Sequence, residues 1–120
     1  MNSAQRLYDF WSSFSLPAFD ETLVQTGEPI PRITYETSEG EFGTEIALTA
    51  SLWYRSASWE EITQKAMEIE SRIGRGGIIL RTDKGALWIK KGTPFAQRMA
   101  DSSDDGIRRI VLNISAEFIE

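Results

Sequence analysis

The chain has 120 residues, a net charge of −5 and neither cysteine nor histidine. Its length is that of one ordinary domain, and a hydrophobic content of 41% is enough for a single core. The lack of both residue types excludes disulfides, thiol nucleophiles, imidazole bases and Cys/His zinc sites. We therefore predict a single domain over residues 1–120 that is not an enzyme and has no catalytic residue, metal site or cofactor.

The charge balance also bears on the partners of the chain. Its 13 basic and 18 acidic side chains are the reverse of the balance that nucleic-acid-binding proteins usually have. Basic residues cluster at 72–81 and 84–91, which indicates a solvated hairpin edge or, alternatively, a patch that contacts phosphates. The N-terminus lacks the apolar run of a signal peptide, and no apolar stretch approaches the roughly 20 residues of a membrane span. We expect a soluble protein with no membrane partner.

A short amphipathic helix is predicted over residues 3–14, with Asn2 or Ser3 as its N-cap. One apolar stripe follows helical spacing and consists of Ala4, Leu7, Tyr8, Trp11 and Phe14. Phe10 falls off this stripe, so the helix carries more aromatic surface than a small domain easily buries. We expect core packing for the aromatic stripe and a partner subunit over part of the aromatic surface of this helix.

Residues 15–31 are predicted to form a long irregular connection, because prolines and glycine interrupt any regular element there. Leu23 and Val24 are expected to make a brief extended contact within it. Segments of this length are unusual in compact domains. The connection is therefore either a plain flexible loop or a segment that becomes ordered on a partner.

Two strands at 32–38 and 44–55 alternate in polarity and predict an antiparallel hairpin with one apolar face. The turn at 38–43 contains two glycines and places Phe42 at the hairpin tip. Trp53 points away from the apolar face of the second strand. It either lies under another element or marks an exposed patch.

A second helix is predicted over residues 59–73. Ser58 and Glu61 have the spacing of a capping box, and Gly74 is expected to end the helix in the left-handed conformation. The buried face is predicted to contain Trp59, Ile62, Ala66, Ile69 and Ile73.

Three further strands follow, at 78–81, 86–91 and 107–119, with a tight turn at 82–85. A short helical turn is predicted at 95–99 and an acidic loop at 101–106. The order α-β-β-α-β-β-β predicts an α+β fold with a mainly antiparallel, mixed sheet of about five strands flanked by two helices. The length of the last strand predicts that it either runs centrally in the sheet or projects past it. Both helices are expected on the apolar face of the sheet.

No segment carries a convincing signature of catalysis or ligand binding. Glu60 and Glu61 suit the first turn of a helix, while Asp104 and Asp105 suit a solvated loop. The segment 101–106 is superficially similar to a calcium loop but lacks its ligand spacing. Residues 74–77 are glycine-rich, but they lead from a helix into a strand, whereas a phosphate loop leads from a strand into a helix. We favour an ordinary acidic turn for residues 101–106 and the end of a helix for residues 74–77.

Several stretches resemble small tail proteins of long-tailed phages and prophages of Gram-positive bacteria, labelled minor capsid or tail-completion proteins. The resemblance covers essentially the whole chain and is carried by residues 4–11, 47–56, 73–77, 86–90 and 92–99. The element order is similar to that of the tail terminator family within this group. The family has a mixed sheet flanked by helices, with no enzymatic activity and no cofactor.

The resemblance implies a virion protein assembled in the host bacterial cytoplasm. It would form a ring with itself, commonly of six copies, at the head-proximal end of the tail tube. This ring would contact the tail-tube protein and the head-completion or connector protein, and DNA would pass through it without specific binding. The main alternative is another joining protein, a connector or stopper below the portal. A small phage enzyme or nucleic-acid-binding regulator is a third hypothesis, disfavoured by the composition.

No functional residue carries over from the family, so interface residues are predicted from the chain alone. Four tryptophans are many for a monomer of this size, and tryptophan is favoured at interfaces. The predicted interface residues are Leu23, Val24, Phe42, Trp53 and Arg55. The alternative for each of them is ordinary packing within the chain.

Overall fold

The computed structural model describes residues 1–23, 29–38, 43–100 and 106–119. These residues form two helices and six strands, and the fold is α+β, as predicted. In chain order the elements are α1 (Ser3–Ser12), β1 (Ala18–Asp20), β2 (Arg32–Tyr35), β3 (Glu45–Arg55), α2 (Glu60–Ile73), β4 (Ile78–Thr82), β5 (Gly85–Met99) and β6 (Ile107–Ile119). The predicted turn at 38–43 and the acidic loop at 101–106 lie mostly outside the described residues.

The strands form one mixed sheet in the order β1-β2-β3-β6-β5-β4. Strands β1 and β2 pair in parallel, and every other pairing in the described sheet is antiparallel. The long strand β6 lies between β3 and β5, so of the two predicted arrangements the structure has the central one. Strands β1 and β4 are the two edges, so the basic hairpin β4–β5 lies at a sheet edge, as the sequence indicated.

The first strand is one that the sequence analysis missed. Ala18–Asp20 pairs with β2 inside the stretch predicted to be irregular, and the backbone N–H of Ile33 donates to the carbonyl oxygen of Pro17 at 2.8 Å. Three residues are too few to produce a visible period-two pattern. Pairing with β2 stabilises this strand, and the local sequence does not predict it.

Helix α1 begins as predicted but buries a different face. Asn2 caps it in a capping box with Gln5. Phe10 is 4% exposed and Tyr8 is 51% exposed, whereas the predicted stripe included Tyr8 and left Phe10 outside. The buried aromatic cluster comprises Phe10, Trp11 and Phe14 in edge-to-face and tilted contacts. The core of the chain itself covers Phe10, and Tyr8 is the ring of this helix that stays exposed.

Helix α2 buries the predicted residues, with Ile62, Ala66, Ile69 and Ile73 in the core and Trp59 packed against it. Its start differs from the prediction. Trp59 occupies the N-cap position without a side-chain hydrogen bond, so the Ser58–Glu61 capping box is not formed. The Ser58 hydroxyl instead accepts a hydrogen bond from the backbone N–H of Glu60 at 3.3 Å.

The predicted helical turn at 95–99 is wrong, because β5 continues as a strand through Met99. Its pairing with β6 shifts register between Lys91 and Ala96, and then resumes with Ala96 opposite Leu112. The irregularity falls at Gly92-Thr93-Pro94, which made the two halves of β5 look like separate elements in the sequence.

A single hydrophobic core lies between the two helices and one face of the sheet, as predicted. Strand β6 contributes Ile110, Leu112, Ile114, Ala116 and Phe118 to it. Helix α2 is also bonded to the segment that follows α1, because the Lys65 ammonium group donates to the carbonyl oxygen of Phe14 at 2.9 Å. The described residues place no helix over the opposite sheet face, which we call the open face.

Candidate interaction surface

The open face is formed by the side chains that alternate with the core residues along β2, β3, β6 and β5. In the register of the sheet, Arg32 lies opposite Trp53, Trp53 opposite Arg109, and Arg109 opposite Met99. These four side chains therefore form one row across four strands. We call Arg32, Trp53 and Arg109 the arginine–tryptophan row.

Trp53 is held between the two arginines of this row. The guanidinium carbon of Arg109 lies 4.6 Å from the centre of the indole ring, and that of Arg32 lies 5.4 Å from it. Cations over an aromatic face are attracted by its quadrupole. The indole N–H also donates to the Thr34 hydroxyl at 2.9 Å. Trp53 is therefore half-buried and fixed in orientation, with arginines on both sides.

Arg109 is also held in place by hydrogen bonds to Ser51 of β3. Its Nε and Nη2 atoms donate to the Ser51 hydroxyl at 3.2 and 3.1 Å. Ser51 is 4% exposed, although it points to the open face, because the arginine covers it. A guanidinium group held this way loses less rotamer entropy when a further acceptor binds to it.

The other end of the open face is acidic. Glu45 lies opposite Glu117 in the register, and the Lys90 ammonium group bonds both carboxylates at 3.2 and 3.3 Å. Hydrogen bonds from the Ser115 hydroxyl and from Lys90 hold the pKa of Glu45 below its usual value. Burial lowers the pKa of Lys90, but its two glutamate partners outweigh this effect and raise it overall.

A second tryptophan lies at this acidic end. The Trp88 indole N–H donates to the carbonyl oxygen of Gly76 at 2.9 Å, and the Lys90 ammonium nitrogen lies 4.2 Å from the ring centre. Ile79 lies opposite Trp88 on the edge strand and is 57% exposed. Both ends of the open face thus combine an aromatic ring with charged side chains.

The structure separates the predicted interface residues. Trp53 and Arg55 lie on the open face at the same end of β3, and Arg55 is exposed. Leu23 is 73% exposed but lies elsewhere, in a shallow groove between α1 and the β1–β2 edge. Val24 and Phe42 lie outside the described residues. Of the five predicted residues, the structure therefore brings together Trp53 and Arg55.

Sequence reasoning missed Arg32, Thr34 and Arg109 as partners of Trp53. The alternation in β2 predicted that Arg32 and Thr34 point away from the core, and the hairpin register would have placed them beside Trp53. No signal in the sequence pairs Arg109 with Trp53, because β3 and β6 are distant in the chain. That pairing is a consequence of sheet order alone.

The described residues offer little for chemistry. They contain no group of three or more carboxylates that could hold a metal ion. Glu60 and Glu61 occupy the first turn of α2, where negative charge favours the helix dipole. Asp104 and Asp105, and with them the calcium-loop alternative, lie outside the described residues. No helix of the described part is long and apolar enough to cross a membrane.

The fold and the open face define an α+β protein with a mixed sheet, and the helices of the described residues cover one side of it. Comparison with models of known protein families and with curated proteins finds no match for this chain.

Proposed function

We propose that this protein is a structural phage tail protein. In this proposal it forms a ring at the head-proximal end of the tail tube, ends tube polymerisation and joins the tail to the head. It acts by binding other proteins, without enzymatic activity or a cofactor. The particular position in the virion comes from the sequence resemblance to tail terminator proteins.

The observation that carries the proposal is the one-sided sheet. Both helices pack on one face, which leaves an open face with half-buried Trp53 between two arginines, and two edge strands with different sequences. A closed ring needs two different surfaces on each copy, and strand edges supply backbone donors and acceptors for such contacts. Tryptophan and arginine are the residues most enriched at the energetic centres of interfaces.

The stretches that carry the resemblance support the proposal from the sequence side. They lie in α1, in β3, at the α2–β4 junction and along β5, and so include residues of the core and of the open face. The net charge of −5 per chain also suits a ring around DNA. Six copies would carry about −30 before local pairing, which disfavours binding of phosphates in the channel.

The test is an assay of tube length. Purified tail-tube protein from the same phage genome is allowed to polymerise with and without this protein, and tube lengths are measured by electron microscopy. We expect shorter tubes of narrow length distribution with a ring at one end. Tubes that keep their lengths and bind no protein would contradict the proposal.

A co-purification experiment tests the alternative role of a connector or stopper. Tagged protein is mixed separately with tail-tube protein and with portal–connector complex. Binding to the tube protein is expected from a terminator. Binding to portal and connector but not to tube protein would assign the chain to the other side of the head–tail junction.

A further inference from the structure

Exposed apolar side chains gather in the shallow groove between α1 and the β1–β2 edge, which we call the α1 groove. Met1, Tyr8 and Leu23 line it and are 48%, 51% and 73% exposed. They are half of the large hydrophobic side chains that stay exposed in the described part of the chain. Single exposed apolar residues are ordinary, but a group of them in one groove is typical of a surface that binds another molecule.

The polar part of the α1 groove is anionic. The Asp20 carboxylate accepts hydrogen bonds from the backbone N–H and the hydroxyl of Thr22, at 2.9 and 2.8 Å, and from the Thr37 hydroxyl at 3.2 Å. The Thr22 backbone, followed by the Thr22 hydroxyl, holds the pKa of Asp20 below its usual value, so this group is charged at neutral pH. The ion pairs of the described residues include none to Asp20. Its charge is therefore available to a ligand.

A carboxylate beside apolar walls suits a long basic side chain. The methylene stem of an arginine or lysine can lie against Leu23 and Met1 while its charged head reaches Asp20. The exposed ring of Tyr8 adds attraction for a cation that lies over it. An anionic ligand would be repelled by Asp20, and a neutral apolar ligand would remove this charge from water without a partner. The groove therefore selects a cation on an apolar stem.

Arg75 is such a side chain, and it lies on an open loop. Residues 74–77 join α2 to β4, with glycine on both sides of the exposed Arg75. A Cβ added at Gly76 would meet no atom within 4 Å, so there is open space around this loop. The hydrogen bonds, ion pairs and ring contacts of the described residues include none made by the Arg75 side chain. Arg75 can therefore reach a neighbouring molecule without giving up a contact in its own chain.

The loop with Arg75 and the α1 groove lie at different places on the chain. The groove borders β1, and the loop leads into β4, which is the opposite edge of the sheet. Two other exposed cations, Arg81 and Lys84, flank the β4–β5 turn at the other end of β4. That turn is tied to the groove of its own chain, because the ammonium group of Met1 is bonded to Asp83. Of these three cations, Arg75 is therefore the one placed for a contact with the groove of another copy.

We propose that Arg75 of one copy inserts into the α1 groove of the next copy and pairs there with Asp20. Such a contact joins copies head to tail, because it uses two different surfaces of the same chain. It repeats from copy to copy and closes into a ring when the rotation between copies allows it. The inference rests on the proposed function, since the proposed ring is the assembly that this contact builds.

Site-directed cross-linking tests the contact, because the chain has no cysteine of its own. One preparation carries Ala4→Cys beside the groove and a second carries Gly76→Cys beside Arg75, and the mixture is treated with a short bismaleimide. We expect about tenfold more cross-linked dimer than from a mixture of Gly76→Cys with Gln64→Cys, at an exposed position of α2. Equal yields from the two mixtures, with and without tail-tube protein, would overturn the inference.

Charge exchange tests the pairing of Arg75 with Asp20. Asp20→Arg in the Ala4→Cys protein, or Arg75→Asp in the Gly76→Cys protein, should each lower the cross-linked yield about tenfold, because like charges then meet. Both changes together, one on each protein, should restore the yield. Lys84→Asp in the Gly76→Cys protein changes the net charge as Arg75→Asp does and should leave the yield unchanged. A loss with Lys84→Asp and none with Arg75→Asp would overturn the pairing.

A second groove variant keeps the test valid if Asp20→Arg disturbs the hydrogen bonds with Thr22 and Thr37. Leu23 is 73% exposed, so Leu23→Lys should fold normally and place a cation in the groove without altering those bonds. It should lower the cross-linked yield as Asp20→Arg does, and circular dichroism confirms the fold of each variant. An unchanged yield with a folded Leu23→Lys protein would show that Arg75 does not enter the groove.

Tube capping separates a failure of this contact from a failure of the proposed function. If the original chain caps tubes and Arg75→Asp caps them equally well, the contact is wrong and the function stands. Loss of capping with Asp20→Arg but not with Arg75→Asp would assign the groove to a basic side chain of the tube protein and overturn the choice of a second copy. If the original chain caps no tubes but the specific cross-link forms, the contact stands and the function fails.

Discussion

The indole N–H of Trp53 donates a hydrogen bond to the hydroxyl of Thr34 at 2.9 Å, which links β3 to β2 on the open face of the sheet. Thr34 is 7% exposed, so its hydroxyl is removed from water and depends on this partner. The same bond holds the indole between the guanidinium groups of Arg32 and Arg109. The predicted interface tryptophan is thus a fixed part of the sheet surface.

Replacing Thr34 by valine should lower the free energy of unfolding by about 1 kcal/mol, because the indole N–H of Trp53 loses its acceptor. Thr63→Val is a useful contrast. The Thr63 hydroxyl is buried and has no partner among the described residues, so its removal should be neutral or stabilising. Urea unfolding of both variants measures the difference, and equal losses would contradict this account.

Under the proposed function, Trp53→Ala should weaken assembly on the tail tube more than it weakens folding. The indole is half-buried and its loss costs some stability, but the surface that it forms with the two arginines is lost completely. Tube capping and urea unfolding are measured on the same preparation. A loss of folding that accounts for the whole loss of capping would make Trp53 an ordinary packing residue.

Phe10 and Tyr8 should differ in the stability lost when each is replaced, because Phe10 is buried and Tyr8 is exposed, the reverse of the sequence prediction. Phe10→Ala should destabilise the fold by about 3–5 kcal/mol, because a buried ring is removed from contact with Trp11 and Phe14. Tyr8→Ala should cost less than about 1 kcal/mol, since Tyr8 is half-exposed. Thermal unfolding distinguishes them, and similar values would contradict the burial seen for α1.

Gly77 and the preceding Gly76 form a matched pair. Gly77 has a φ of 87°, and an added Cβ would lie 2.6 Å from the carbonyl oxygen of Ile89 and from Nε1 of Trp88. Gly77→Ala should therefore cost about 1–3 kcal/mol through strain and displacement of the indole. Gly76→Ala has open space around the added atom and should change stability by less than about 0.5 kcal/mol. Chemical unfolding with tryptophan fluorescence reports both effects.

Stability should fall at alkaline pH in a way that depends on Tyr35. Burial raises the pKa of this phenol above its ordinary value of 10.0, and the nearby charges of Asp20 and Tyr8 add to the effect. The pKa of Tyr35 is higher in the folded state than in the unfolded state. The contribution of the protonated phenol to stability is therefore complete below pH 10, and it is lost as the pH rises through the folded-state pKa. Tyr35→Phe should therefore lose less stability than the original chain above about pH 10. The free energy of unfolding of both proteins is measured over a series of pH values. If it falls equally with pH in the two, ionisation of Tyr35 is excluded as the cause.

Elements with enough residues to display a period were predicted close to their observed positions. Helix α2 and strands β3 and β6 were each found within one residue of the predicted bounds, because ten or more residues establish which face is apolar. Strand β1 and the second half of β5 were not found. The first is three residues long, and the second follows Gly92-Thr93-Pro94, which is typical of a break.

The sequence by itself determined the α+β class, the hairpins, the length of β6 and the outward direction of Trp53 and Arg55. These features follow from local periodicity and turn residues, which act within about a dozen neighbouring positions. Only the tertiary structure decided that Arg109 reaches Trp53, that Phe10 is buried in place of Tyr8, and that Lys90 pairs with both Glu45 and Glu117. The physical reason is that strands distant in the chain are paired by sheet order and core packing, and no local pattern encodes which side chains that pairing brings together.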